Sequence, residues 1–188
     1  DLAWLLSWKA GWRRLAQGEA ETGRYCRLAK GGREVWLQAC YSPIYDAHGK
    51  PYKVVKYATD ITQQQEREAD AQGQLAAISK VQAIIEFALD GTILHANELF
   101  LRTTGYALSE IVGKHHRIFM PPGEAQSPTY RTFWERLAQG RHDAGQYQRM
   151  GKNGKPIWIE ASYNPILDAN GRPFKVVKYA TDILSLIH

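Results

Sequence analysis

Apolar and polar residues alternate along the C-terminal third of the chain with the two-residue period of half-buried strands. Three segments with this period predict strands at Gln146–Met150, Pro156–Ile166 and Pro173–Ile183. The turn sequences Asn153-Gly154 and Asp168-Ala169-Asn170-Gly171 separate these segments, and such sequences join antiparallel neighbours. The pattern therefore predicts a three-stranded antiparallel meander.

A short hairpin is predicted ahead of the meander. Strands at Glu86–Leu89 and Thr92–His95 flank Asp90-Gly91, a dipeptide that favours tight turns between antiparallel strands. Asn97 follows, and its side-chain oxygen can cap a helix that ends at Gly105. The second strand of the hairpin therefore leads directly into a helical region.

Helices fill the region between the hairpin and the meander. A short helix is predicted at Ser109–Val112, and a longer one begins at Ser127-Pro128, because proline is tolerated in the first turn of a helix. Apolar residues recur at helical spacing in this longer helix, which Gly140 ends. Five antiparallel strands with short helices gathered on one face form an α+β fold.

The same pattern occurs twice in the chain. Residues Trp12–Ile61 return as Trp134–Ile183, shifted by 122 positions without a gap, and 29 of the 50 positions are identical. Such similarity indicates two copies of one module, of which the first lacks its front half. The predicted domains are the C-terminal half of a first copy (1–61), a helical linker (62–82), a complete second copy (83–183) and a tail (184–188).

The first copy is predicted to hold one helix and three strands. The helix lies near Trp4–Gln17, and the strands lie at Thr22–Lys30, Glu34–Tyr45 and Pro51–Ile61. Without the first two strands of the module, its sheet has an unprotected edge and a half-covered face. We therefore expect the first copy to be marginal alone or to need a partner.

The junction after the last strand of each copy carries capping residues. Thr62, with Gln65 three residues later, matches a capping box at the start of a helix. Asp60 and Asp182 end the last strands and can cap an outgoing helix in each copy. An apolar stripe extends from the linker into the second copy, at Leu75, Ile78, Val81 and Ile85.

The composition is that of an ordinary soluble globular protein. The net charge of +5 is spread through both copies, which favours solvated surface lysines over nucleic-acid binding. No apolar run reaches the ~20 residues of a membrane span, and no basic segment followed by an apolar core opens the chain, so neither a span nor a secretory signal is expected. Gln148 and Ser162 stand in the second copy where the first has Cys26 and Cys40, so a disulfide framework is not expected. We expect the chain to reside in a reducing cytoplasm.

A family resemblance is carried by nearly the whole chain. The second copy reads AIIEFALDGTILHANELFLRTTGY, LSEIVGKHH and FWERLAQG, and continues with GQYQRMGKNGKPIWIEASYNPILDANGRPFKVVKYATDI. These segments resemble tandem PAS domains of bacterial methyl-accepting chemotaxis receptors and their biofilm-dispersion relatives. The joining segment EADAQGQLAAISKVQAIIEFALDGTI also resembles the joint between PAS domains in those receptors.

The resemblance implies a sensory module in which a five-stranded sheet and short helices enclose a ligand or cofactor. Its last strand would pass the state of the module to the next helix, through an Asp-x-Thr end found here at Asp60-Ile61-Thr62. The second copy ends Asp182-Ile183-Leu184 and lacks the capping hydroxyl. The implied partners are a second copy of the chain and the chemotaxis signalling proteins that an output domain would engage. The alternative is a pair of PAS domains that binds no ligand and serves dimerisation and receptor positioning.

No enzyme motif is present, so catalysis is not expected. In light-sensing relatives a reactive cysteine stands in a Gly-x-x-Cys-Arg-Phe-Leu segment, whereas Gly113–Phe119 here carries a histidine at that position. Cysteinyl-flavin photochemistry is therefore excluded. His115 and His116 remain candidates for an axial haem ligand. The alternative is that both histidines are surface or capping groups, and only one of two adjacent helical residues can face inward.

Noncovalent FAD is the other candidate cofactor that the resemblance implies. Asn97, Phe100 and Trp134 are predicted to line its pocket together with Trp158. Trp158 and Tyr163 face opposite sides of the central strand, so at most one of them lines the pocket. Packing in the core is the alternative role for each of these aromatic residues.

Overall fold

The computed structural model describes residues 11–183. The chain divides into two compact units, one up to Gly73 and the other from Gln74 onward. The division falls inside helix α1, which runs Thr62–Val81 and buries none of its residues. The predicted domain limits at residues 61/62 and 82/83 therefore stay predictions. The predicted tail 184–188 and the first half of the predicted first helix lie outside the described residues.

The first unit is a three-stranded antiparallel sheet preceded by a helical segment at residues 11–16. Its strands are β1 (Glu21–Leu28), β2 (Glu34–Tyr45) and β3 (Pro51–Asp60), and β2 is central. The second unit has an equivalent meander with two further strands beside it. Among the described residues, β1 and β3 are therefore edge strands of the smaller sheet.

The second unit contains a five-stranded antiparallel sheet in the order β5-β4-β8-β7-β6. Its strands are β4 (Ala83–Phe87), β5 (Ile93–Ala96), β6 (Asp143–Met150), β7 (Pro156–Leu167) and β8 (Pro173–Asp182). Strand β8 is central because β4 pairs with one of its edges and β7 with the other. The register of β7 and β8 shifts between Ile166 and Leu167, and the first unit has the same shift between Ile44 and Tyr45.

Short helices connect β5 to β6 in the second unit. They are α2 (Glu98–Thr104), α3 (Leu108–Ile111), two 3₁₀ turns (His116–Phe119 and Glu124–Gln126) and α4 (Pro128–Ala138). Ser127 caps α4, since its hydroxyl accepts a hydrogen bond from the Tyr130 N–H and Pro128 occupies the first turn. The five-stranded antiparallel sheet with short helices confirms the α+β fold.

One hydrophobic core lies between this sheet and its helices. Strand residues Ile85, Phe87 and Val176 are fully buried in it, as are Ile111 and Leu137 of the helices. Their burial follows the two-residue period in the strands, because alternate side chains point to the same face. The core therefore lies on one face of the sheet and joins the helical region to it.

The first hairpin of the second unit differs from the sequence prediction. Strand β4 begins at Ala83 rather than at Glu86, because Ala83, Ile85 and Phe87 alternate into the core. The predicted two-residue turn is also wrong. The chain reverses over five residues, with the Ala88 N–H donating to the Thr92 carbonyl and the Gly91 N–H donating to the Ala88 carbonyl.

The glycine of this turn has no space for a side chain. Gly91 has φ +88°, a conformation that favours glycine. A Cβ at this position would lie 2.8 Å from His115 ring atoms and 2.9 Å from Cε2 of Trp134. The turn is therefore fixed both by its backbone conformation and by the two aromatic side chains packed against it.

We expect Gly91→Ala to destabilise the second unit by about 2–4 kcal/mol, since left-handed strain adds to overpacking. Gly171→Ala is the matched control, because Gly171 has φ +76° but no atom within 4 Å of the point where a Cβ would lie. The control should cost about 1 kcal/mol from strain alone. Urea unfolding followed by the NMR signals of β8 amides measures both, and equal losses would contradict the packing argument.

Candidate functional site

The inward face of the second sheet carries two cations and two tyrosines. Arg149 on β6 and Lys178 on β8 are 8% and 2% exposed, and Tyr163 on β7 is fully buried. The guanidinium of Arg149 lies 4.6 Å from the centre of the Tyr147 ring, and Nζ of Lys178 lies 4.9 Å from that of Tyr163. These separations are within the range of cation–π contacts. The sheet thus presents charge and aromatic surface to the interior.

His116 connects this sheet face to the helices. Its imidazole is fully buried, with Nε2 3.0 Å from the Tyr163 hydroxyl and Nδ1 2.9 Å from the Tyr130 hydroxyl. The backbone N–H of His116 donates to the Gly91 carbonyl at 2.8 Å. One side chain therefore joins a 3₁₀ turn, helix α4 and the central part of the sheet.

The donors and acceptors fix the sense of these hydrogen bonds. Arg149 Nη2 can only donate, and it donates to the Tyr163 hydroxyl oxygen at 3.2 Å. The simplest assignment lets the Tyr163 hydroxyl donate to Nε2 of His116, and Nδ1–H of His116 then donates to the Tyr130 hydroxyl. A neutral imidazole satisfies both neighbours in this arrangement.

The electrostatics of the interior also favour neutral His116. Burial is the main cause that holds the pKa of His116 well below its usual value, and the positive charges of Lys178 and Arg149 lower it further. Burial likewise holds the pKa of Lys178 well below its usual value, with Arg149 the second cause. Burial raises the pKa of Tyr130 to about 12, so its hydroxyl keeps its proton.

The neighbouring histidine has a different environment. His115 precedes the 3₁₀ turn, and its Nδ1 accepts a hydrogen bond from the Arg117 N–H at 3.1 Å. Its ring is half-buried against Trp134, with the ring centres 5.9 Å apart. His115 therefore occupies a capping position, while His116 points into the core.

Two spaces adjoin the polar cluster. A cavity of about 20 Å³ lies beside Arg149 and Lys178, closed on other sides by Phe100 and Phe119. An open cleft of about 340 Å³ lies between the Met120–Phe133 segment and β6. Four side chains of the cleft wall carry its chemistry: Tyr130, Phe133, Tyr147 and Arg149. The cavity has room for about one water molecule, whereas the cleft has the size of a small-ligand site.

Asn97 has a structural role in place of the predicted cofactor contact. Its side-chain oxygen accepts hydrogen bonds from the N–H groups of Ile84 and Phe100, each at 2.9 Å. Its amide nitrogen donates to the carbonyls of Gln82 (2.8 Å) and Ser79 (3.1 Å). The side chain thus caps α2 and fastens the end of α1 to β4, which leaves no donor or acceptor for a ligand.

Trp158 was predicted to line the pocket, and the structure corrects this prediction. It is 42% exposed on the outer face of β7, because Ile157, Ile159 and Tyr163 take the inward positions of the alternation. Phe100 and Trp134 are both buried in the core. Their part in ligand binding stays a prediction.

The geometry of this interior suits a small ligand better than haem or FAD. An axial haem ligand needs a free imidazole nitrogen, and both nitrogens of His116 are engaged by tyrosine hydroxyls. His115 does not contribute to the walls of the cavity or the cleft beside the cluster. The cleft is at the lower end of the volumes of ligand sites, which suits a small molecule better than a dinucleotide.

The junction between β3 and α1 forms a compact hydrogen-bond cluster. Asp60 Oδ1 accepts hydrogen bonds from the Thr62 N–H at 2.9 Å and from the Thr62 hydroxyl at 2.6 Å. The same hydroxyl accepts from the Trp36 N–H of β2 at 2.9 Å. These bonds from Thr62 lower the pKa of Asp60, so the carboxylate form is favoured. The start of α1 is thus bonded to two neighbouring strands.

The predicted capping box at this junction is wrong. The Thr62 hydroxyl is used by Asp60 and Trp36, and the Gln65 N–H donates to the Ile61 carbonyl at 2.9 Å. Among the described residues, Gln65 is bonded here through its backbone alone. Asp182 occupies the position of Asp60 in the second unit, but the residues that follow Ile183 lie outside the described range.

Arg149 and Lys178 were missed because a cation on a strand is usually solvated. The internal repeat carried a signal that could have found them, since both are identical in the two copies. Tyr147, Arg149, Tyr163 and Lys178 correspond to Tyr25, Arg27, Tyr41 and Lys56. The first unit also repeats the geometry: Lys56 Nζ lies 5.3 Å from the Tyr41 ring centre, and the Arg27 guanidinium lies 4.8 Å from that of Tyr25.

Comparison with known proteins identifies the fold. The family model described as PAS fold matches residues 5–58 and 93–180, which together are more than half of the chain. The chain belongs to the PAS fold family. Most of each copy of the repeat lies within the matched ranges, and the longer match is in the second unit.

Relatives of this PAS pair include bacterial sensory proteins. The chain is 46% identical over 172 residues to the biofilm dispersion protein BdlA of Pseudomonas aeruginosa, which covers 92% of the chain and 41% of that protein. It is 29% identical over 79 residues to the aerotaxis receptor of Escherichia coli, covering 42% of the chain and 15% of the receptor. The chain thus spans less than half of the length of these relatives.

The similar solved structures support the PAS fold and no finer assignment. The PAS domain of a protein from Colwellia psychrerythraea has a TM-score of 0.53 at 23% identity, covering 61% of this chain and 98% of that domain. A light-oxygen-voltage domain studied with a flavin analogue has a TM-score of 0.50 at 22% identity, covering 57% and 82%. Within residues 11–183, no helix is long and apolar enough to cross a membrane.

The buried histidine predicts a pH dependence of stability. The folded PAS domain holds the pKa of His116 below its ordinary value of 6.5, so the unfolded chain binds more protons as the pH falls below that value. The part of the stability that depends on neutral His116 should be fully present above about pH 6.5 and fall by up to about 1.4 kcal/mol per pH unit below it. Urea unfolding between pH 7 and pH 5, followed by NMR signals of β7 and β8, measures this loss.

Two variants isolate the contribution of this imidazole. His116→Gln should flatten the pH profile, because the amide does not titrate in this range. His142→Gln replaces an exposed histidine and should keep the profile of the unmodified chain. A profile that is equally steep in all three proteins would show that other groups cause the acid sensitivity.

Proposed function

We propose that the chain is the sensory segment of a chemotaxis-type receptor, in which the second PAS domain binds a small ligand. The similarity to the biofilm dispersion protein and the aerotaxis receptor supports this class of function. The observation that carries the proposal is the hydrogen-bond chain from Tyr130 through His116 to Tyr163. It connects the wall of the open cleft with the centre of the sheet.

The cleft is the proposed ligand site. Tyr130, Phe133 and Tyr147 offer aromatic surface there, and Arg149 offers a guanidinium. A few polar groups among apolar walls are typical of small-molecule sites. A ligand that contacts the Tyr130 hydroxyl competes with His116 for it, and so changes the bond that holds α4 to the sheet. The response is a shift between two arrangements that the ligand binds with different affinity.

The strand-to-helix junction is the proposed route of the response. Asp60 and Thr62 bond the first turn of α1 to β2 and β3, so a displacement of these strands changes the start of the helix. The second PAS domain places Asp182 at the same point of its last strand. In this proposal each domain acts on the helix that follows its sheet, and an output domain reads the second helix.

We expect Asp60→Ala to loosen the first turn of α1, because the Thr62 N–H and hydroxyl lose their acceptor. Amide hydrogen exchange at residues 62–65 should become faster while exchange within β2 is unchanged. Asp46→Ala is the matched control. Asp46 also accepts two backbone hydrogen bonds through one oxygen, from His48 and Lys50, but it lies in the β2–β3 turn.

The signalling part of the proposal is tested in a chimera that joins the chain to a chemotaxis signalling domain. Asp60→Ala should remove the influence of the first PAS domain on output, whereas Asp46→Ala should leave it unchanged. Unaltered output in the Asp60 variant, with faster exchange at residues 62–65, would show that the junction is structural and does not carry the signal.

A second candidate function is dimerisation without ligand binding, and one observation favours it. Helix α1 exposes three apolar side chains at helical spacing: Leu75 (58% exposed), Ile78 (38%) and Val81 (72%). Ile85, the fourth member of the predicted stripe, is buried in the core and is not available. We expect Leu75→Glu with Val81→Glu to dissociate a dimer in sedimentation equilibrium. A monomer at all concentrations before substitution would exclude this surface.

A further inference from the structure

The buried cations of the second PAS domain form no salt bridge with any of the described residues. Arg149 and Lys178 are 8% and 2% exposed, yet neither forms a salt bridge within residues 11–183. Charged side chains of this degree of burial are normally paired, because an unpaired buried charge is costly. The same two residues line the cavity of about 20 Å³.

Neutral groups satisfy these cations only in part. Arg149 donates from Nη1 to the Gln148 carbonyl at 2.8 Å and from Nη2 to the Tyr163 hydroxyl at 3.2 Å. Its Nε–H is buried and has no hydrogen-bond partner. Lys178 contacts the face of the Tyr163 ring. A buried donor without an acceptor is costly, so an acceptor in the cavity would stabilise the fold.

The remaining walls of the cavity are compatible with a small anion. Phe100, Phe119 and Ile159 close it with apolar surface, so a charge inside is weakly screened. Asp182, the half-buried last residue of β8, is also among the lining residues, and repulsion from its negative charge favours a monovalent over a divalent anion. An occupant of the size of one water molecule fits the available volume.

We propose that this cavity binds one small monovalent anion between Arg149 and Lys178. Chloride, a single atom, is close to this volume, and formate, the smallest carboxylate, is a larger probe of the same charge. The anion would accept a hydrogen bond from Arg149 and would favour the charged ammonium form of Lys178, which burial alone disfavours. It would also fix the position of the Arg149 guanidinium, which begins the hydrogen-bond chain through Tyr163 to His116.

The internal repeat predicts one site per chain. Arg27 and Lys56 stand in the first PAS domain where Arg149 and Lys178 stand in the second. Lys56 is exposed to solvent and Arg27 is half-buried, whereas Lys178 and Arg149 are buried. An anion there would be screened by water, so its binding would be weak. Saturation at one anion per chain therefore distinguishes the enclosed site from general attraction to a basic surface.

Thermal unfolding of the whole chain tests the proposal. Sodium chloride and sodium formate are titrated against sodium gluconate at constant ionic strength, because gluconate is too large for the cavity. We expect a saturable rise in Tm with one or both small anions, since a ligand that binds only the folded state stabilises it. A rise in Tm with chloride alone, with formate alone or with both shows which anion binds. Equal Tm values in all three salts would overturn the proposal.

Lys178→Met removes the charge and keeps most of the side-chain volume. The apparent affinity for the small anion should fall by about 30-fold or more, because one partner of a buried charge pair is lost. Lys175→Met is the matched control on the same strand. It removes an equal charge from a half-exposed lysine paired with Glu86 at 2.7 Å, and should keep the anion response. An unchanged response in the Lys178 variant would contradict the site.

A direct measurement keeps the test independent of mutant folding. Binding of chloride to the unmodified chain broadens the ³⁵Cl NMR signal, and formate should reverse the broadening if it shares the site. Absence of broadening together with no stabilisation by formate would also overturn the proposal. The inference extends the proposed sensory role, but anion binding is measured without any signalling output. Failure to bind an anion would therefore not exclude the proposed sensory role, and failure of the sensory role would not exclude anion binding.

Discussion

The structure of the second PAS domain depends on one buried imidazole. His116 accepts one hydroxyl hydrogen bond from the sheet side and donates another towards helix α4, in the assignment that satisfies all donors. The bond between His116 and Tyr163 cannot be exchanged for water without opening the core, because both residues are fully buried, so its loss leaves a buried polar group unpaired. The helices are therefore held to the sheet by packing and by a directional bond that has few alternatives.

This arrangement determines which ligands the domain can accept. The imidazole and the aromatic side chains around it fill the space between helices and sheet, so the enclosed cavity is reduced to about 20 Å³. Larger molecules are directed to the open cleft, where Tyr130 and Arg149 present polar groups. His116 therefore has two effects. It fills space that a large cofactor would need in the core, and it connects the cleft to the sheet through its hydrogen bonds.

Sequence reasoning predicted the fold better than the site. The meander strands were placed within a few residues because alternation and turn sequences are local signals, whereas β4 was displaced because Ala83 and Ile85 follow a helical linker without a break. Local pattern does not determine which of two adjacent histidines faces the core, since this depends on the 3₁₀ turn. Arg149 and Lys178 were missed because their burial results from helices that are distant in sequence.

The pairing of β4 with β8 has a consequence for synthesis of the chain. Ala83 lies opposite Ala180, so about 100 residues separate two strands that are neighbours in the sheet. The β4–β5 hairpin leaves the ribosome roughly 5–20 s before its central partner, at ordinary elongation rates. During that interval one edge of β4 has no strand beside it, and its apolar face has only the short helices as cover. The nascent second domain is therefore most exposed to aggregation before β8 is made, and a chaperone that binds apolar strands would act in this interval.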